Sequence, residues 1–118
     1  MTEKNNVSGF ALICDDKGCI VDVWRDELGL DEKKPEGRLF IHLLDKDSRK
    51  KALNFLYEIH SEKVAFDYQM NISLNGVIKS VTFLGVQLDD KLLILGGNSF
   101  ADTLEFTNYL QQINNEQA

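Results

Sequence analysis

Two hydrophobic patterns organise the chain, one of period two and one of period 3.6. Phe10-Ala11-Leu12-Ile13-Cys14 is a short apolar run, and Cys19-Ile20-Val21-Asp22-Val23-Trp24 is a β-branched run ending in an aromatic residue. Asp15-Asp16-Lys17-Gly18 joins them, so the pair predicts a β-hairpin with Gly18 at positive φ. From Arg25 to Arg38 the chain is charged and broken by Gly29, Pro35 and Gly37, which predicts loop and short helical turns. Leu39-Phe40-Ile41-His42-Leu43-Leu44 is apolar enough to lie against a core. Asp45-Lys46-Asp47-Ser48 then offers N-cap oxygens to a helix over Arg49 to His60, whose Ala52, Phe55, Leu56 and Ile59 share one face.

Beyond Lys63 the period changes to two. Val64, Phe66, Tyr68, Met70, Ile72 and Leu74 alternate with mostly polar residues, predicting a long strand with those six on its buried face. Asn75-Gly76 is a strong hairpin signal, Val77 to Leu88 returns as the partner strand, and Asp89-Asp90 turns the chain into Leu92-Leu93-Ile94-Leu95. Residues 64 to 97 thus read as a three-stranded antiparallel meander.

The strand from Val77 to Leu88 carries Val81 and Phe83 on one face and Leu84, Val86 and Leu88 on the other, so both faces of the sheet need cover. The helix at 48 to 60 covers one. The other calls for a terminal helix, a dimer partner, or both. Ser99 and Asp102 resemble a capping box, and from Phe100 to about Glu116 the tail reads as helical, with a short seam of Phe106, Leu110 and Ile113. The expected organisation is a polar tail over 1 to 8, one domain over 9 to 99, and a linker helix over 100 to 118.

The 118 residues suit a single core. A net charge of −6 disfavours nucleic acid and anionic lipid as partners. No apolar run approaches the roughly 20 residues needed to span a bilayer, and Met1 to Asn6 holds no signal-peptide core. The chain reads as soluble and cytoplasmic, with any membrane segment confined to a longer parent protein. Cys14 and Cys19 are too few for a disulfide framework or a four-ligand zinc site. Flanking a turn, they read either as two reduced, half-buried residues or as a redox-switchable pair.

The order strand, strand, short helices, long helix, three strands, terminal helix resembles a PAS domain over residues 9 to 99. Asp16-Lys17-Gly18-Cys19-Ile20 is similar to that family's first hairpin. Gly37-Arg38-Leu39-Phe40, followed by Leu43-Leu44-Asp45-Lys46-Asp47, is similar to the segment that opens its long helix, and Asn75-Gly76 to its turn between strands three and four. The family's frequent Asn at the end of strand two and its Asp-Ile-Thr after strand five are missing; Trp24-Arg25-Asp26 and Gly97-Asn98-Ser99 stand there. The resemblance implies an α+β fold with a five-stranded antiparallel sheet in order 2-1-5-4-3 and helices on one face over a small pocket. It further implies a non-enzymatic sensory and dimerisation module, a homodimer through the terminal helix or the free sheet face, and an effector of histidine kinase, phosphatase or cyclase type in signal transduction such as a two-component system.

Candidate chemistry is sparse. Neither His42 nor His60 sits in a phosphoacceptor setting, and Gly96-Gly97-Asn98-Ser99 lacks the Lys of a P-loop. The helical segment near Gly37-Arg38 has no cysteine for a flavin adduct. His60 is the one candidate haem ligand, but a lone His late in a helix reads better as a capping cation. No metal, haem or non-covalent flavin is expected, and no catalytic constellation can be nominated. What remains is an apolar cup with Leu12, Phe40, Leu44, Phe55, Leu56, Phe66, Tyr68, Met70 and Phe83 as candidate lining, open to a small molecule or packed shut as a core. Tyr68 and Met70 stand out, one for its hydroxyl and one for its adaptable thioether. A scaffold of the profilin or roadblock type, which binds protein without a ligand, is the rival reading; such folds usually begin with a helix. A small enzyme on an α+β sheet would need a convergent polar site, and none is visible.

Overall fold

The computed structural model describes residues 9–27, 29–30, 34–74, 76–98, 103–105, 107–108 and 112. Strands β1 (Gly9–Asp15) and β2 (Ile20–Asp26) form the first hairpin. Gly18 has φ of 87° as the turn requires. The Asp15 carboxylate holds the loop by accepting from the backbone N–H groups of Lys17 and Cys19, both at 2.9 Å. The strand starts at Ile20 rather than Cys19, because Cys19 bridges outward to Leu39 while its carbonyl accepts from Asp15.

Two short 3-10 turns, Phe40–Leu43 and Lys46–Ser48, lead into α1 (Arg49–Glu62). Ala52, Phe55 and Ile59 form its buried stripe. The capping expectation needs correction. The Ser48 hydroxyl gives no cap to α1; it accepts the Asn71 backbone N–H at 2.9 Å instead, and Asp45 caps the preceding turn through the Asp47 N–H. Asp45 in turn donates its N–H to the Asn71 carbonyl at 2.7 Å, so the start of α1 is pinned to the sheet by both polar groups of one strand residue. At the other end Lys63 closes the helix in the left-handed region, its N–H on the Ile59 carbonyl.

Strands β3 (Val64–Leu74), β4 (Val77–Leu88) and β5 (Lys91–Gly97) form the meander. The five strands are antiparallel in the order β2-β1-β5-β4-β3. Between Ala65, opposite Gly85, and Tyr68, opposite Phe83, β3 carries one residue more than β4, with Asp67 at φ of 64°. This bulge reverses the alternation. Ala65 is buried, Phe66 is 52% exposed, and the inward phase resumes at Tyr68. The extra residues of β2 against β1 are Val21 and Trp24, both large, apolar and exposed.

The main core lies between α1 and the sheet, where Phe10, Phe40, Phe55 and Phe83 are wholly buried. A second cluster of Ala11, Leu84 and Leu95, with Val64 and Leu93 packed against it, occupies the opposite face. Both faces of β4 are therefore apolar, as its sequence predicts. In the tail, residues 103–105, 107, 108 and 112 are helical, and the Thr107 hydroxyl donates to the Thr103 carbonyl one turn earlier. Phe106, Leu110 and Ile113 lie outside the described residues. No described helix is long and apolar enough to cross a membrane.

Candidate ligand cup

The concave face of the sheet presents Leu12 from β1, Phe83 from β4 and Met70 from β3 toward α1, each pointing inward by the period of its strand. Phe40 enters from the first 3-10 turn and Phe55 from α1. All are fully buried or nearly so, as is Leu44, and Leu56 and Tyr68 pack at the edge of the cluster. Eight of the nine candidates thus converge. Phe66 does not: the β3 bulge turns it out of the cup.

Aromatic rings fill the space these residues surround. Phe83 makes edge contacts with Phe40 at 5.6 Å, Phe10 at 5.7 Å and Phe55 at 6.0 Å between ring centres. Phe55 also lies 6.1 Å from Phe40 and 5.0 Å from Tyr68. Such pairs add about 0.5–1.5 kcal/mol each beyond the burial of their area. Glycines let the rings close down: a Cβ at Gly85 would meet Ile59 and Phe55, and one at Gly96 would strike the Phe10 ring. Among the aromatic rings of this core, Phe10 is the one the candidate set lacks. Its signal was its place two residues from Leu12 on the same strand face.

Tyr68 is engaged rather than free. Its hydroxyl donates to Glu58 Oε1 at 2.6 Å, tying β3 to α1. That bond, with burial and the Glu58 charge behind it, pushes the phenol up to about 12. Cys14 is buried beside β2, opposite Ile20, and both thiols are free. Burial first, then Asp15 and Cys19, raises the Cys14 thiol to about 12, which makes it a poor nucleophile. His60 is exposed on the last turn of α1 and is no part of the core cluster. Among the described residues no group of three or more His, Cys, Asp or Glu could hold a metal ion.

No known protein-family profile matches the sequence, and no curated protein sequence matches it. Solved structures do. The PAS domain of the RpfR quorum-sensing receptor of Cronobacter turicensis, in complex with BDSF, is similar with a TM-score of 0.62 and 13% identity, over 76% of this chain and 92% of that one. The chain has a PAS-like fold. The chromophore binding domain of Stigmatella aurantiaca phytochrome P1 is similar at a TM-score of 0.58 and 10% identity, over 77% of this chain and 31% of that one. The photosensory core module of a phytochrome from the same organism gives 0.57 and 10%, over 92% and 22%. In this PAS-like fold the cup beneath α1 is built as the resemblance implies, yet its own side chains occupy it.

Proposed function

We propose that this chain is a non-enzymatic, cytoplasmic sensory and dimerisation module of the PAS type that regulates an attached or partner effector, of histidine kinase, phosphatase or cyclase type. The observation that carries this reading is the 2-1-5-4-3 antiparallel sheet with α1 over one face, together with its likeness to a ligand-bound PAS domain over 92% of that domain. Small-molecule control is carried over from that neighbour, which holds BDSF. Dimerisation draws on the proposed linker helix over 100 to 118, with its seam of Phe106, Leu110 and Ile113. No resident cofactor is part of the proposal.

Thermal melts of the full chain against metabolite pools test the sensory part, because a ligand at a hundred times its Kd adds about 2.7 kcal/mol to stability. A raised melting temperature is expected. Light scattering tests the other part: a dimer that Leu110→Asp converts to monomer is expected, and a wild-type monomer at micromolar concentration overturns the dimer. The filled cup favours one second reading, a protein-interaction scaffold without a ligand. A stable dimer whose melting no pool shifts would favour that scaffold over the sensor.

A further inference from the structure

With rings packing the concave face, a small ligand needs another concavity. One lies outside the core, between the β1–β2 turn and the C-terminal half of α1, with a volume of about 240 Å³. Its apolar lining is Leu92 from β5, nearly buried, and Leu56 from α1. Gly18 completes that side, near enough to α1 that a Cβ there would touch Leu56 Cδ1 at 3.4 Å. The Tyr57 ring, 74% exposed, supplies an aromatic wall. The remaining lining is polar: Asp16 and Lys17 from the turn and His60 from α1. Among the described residues, the Asp16 carboxylate and the His60 ring make no hydrogen bond.

Small-molecule sites combine apolar walls with a few polar groups that fix orientation. The volume falls below the roughly 300–1,000 Å³ of drug-sized pockets, which suits a metabolite of about a dozen heavy atoms. Two basic side chains and one carboxylate around an apolar floor complement a zwitterion. A carboxylate can sit by Lys17 and His60, an ammonium by Asp16, and a hydrophobic group on Leu56 and Leu92 against Tyr57. A carboxylic acid without the amine leaves Asp16 facing like charge, and an amine without the acid faces Lys17.

We infer that this cleft binds a free amino acid with an apolar or aromatic side chain, or a zwitterion of that size. The inference rests on the sensory reading and moves the ligand from the core to the surface. L-phenylalanine, 3-phenylpropionate and 2-phenylethylamine titrated separately into the ¹⁵N-labelled full chain, to about 10 mM, test it by amide shifts, since millimolar binding is worth only about 4 kcal/mol. Saturable shifts from phenylalanine at residues 16–18, 56–60 and 92 are expected, with the two single-charge analogues at least about tenfold weaker, a step of about 1.4 kcal/mol. Asp16→Asn should narrow the gap between phenylalanine and phenylpropionate, and His60→Ala should weaken phenylalanine; both residues are exposed, so neither change threatens folding. No saturable shift from phenylalanine, equal binding of phenylpropionate, or shifts centred on Phe40 and Phe83 overturns the cleft. If metabolite pools still raise the melting temperature in that event, the sensory reading stands without the cleft.

Discussion

Gly85 lies directly beneath Ile59, so that a Cβ on the strand would come within 2.9 Å of Ile59 Cγ1 and of the Phe55 ring tip alike. The missing side chain of β4 is what lets α1 settle onto the sheet and close the cup. Gly85→Ala should therefore destabilise the fold by about 1–3 kcal/mol, the usual cost of overpacking. Urea denaturation checks this. Ile59→Ala in the same chain should return part of the loss, since the two sites share one volume; strictly additive costs would show that the contact is not the cause.

Phe66 and Phe83 separate the bulge from the core. Phe83→Ala removes a ring that touches three others and should cost about 3–5 kcal/mol. Phe66→Ala, at a position 52% exposed, should cost well under half of that in the same denaturant series. Equal costs would mean that β3 keeps strict alternation.

Ser48→Ala leaves the Asn71 N–H without its acceptor at a buried junction. A loss of about 1–2 kcal/mol is expected, with faster hydrogen exchange at the Asn71 amide. Unchanged exchange there would remove the hydroxyl from its role as a strand clamp.

Among the described residues, two raised pKa values weaken the fold at alkaline pH. Tyr68 and Cys14 both have folded pKa values of about 12, above their ordinary 10.0 and 9.0. Protons are thus held more tightly in the folded state, and the stability they contribute is complete below pH 9 and fades between pH 9 and 12. Denaturation midpoints measured from pH 8 to 11.5 should fall. Tyr68→Phe should flatten the upper part of that fall and remove a phenolate transition near pH 12 from the ultraviolet titration.

Cys14 should resist thiol reagents in the folded protein at pH 8 and react only on unfolding, whereas Cys19, half-exposed in the turn, reacts first. Reaction with a colorimetric disulfide reagent, followed in time, separates the two. A fast phase of two equivalents would contradict the buried, protonated state of Cys14.

What the chain order determines by itself is local and periodic. Gly18 at positive φ, the apolar stripe of Ala52, Phe55 and Ile59, and the two apolar phases of β4 are each written within a few neighbouring residues, so hairpin, helix and meander, and with them the 2-1-5-4-3 order through the PAS resemblance, were legible. Leu12, Phe55, Leu56, Tyr68, Met70 and Phe83 pack in the core where those periods put them. What only tertiary structure decided depends on partners far along the chain. The bulges that expel Phe66, Val21 and Trp24 arise where paired strands mismatch by one residue. The Ser48 hydroxyl chose a strand amide 23 positions away over its own helix. Whether the cup is open or full turned on Gly85 and Gly96 lying under Ile59 and Phe10, a match of volumes that no single segment contains.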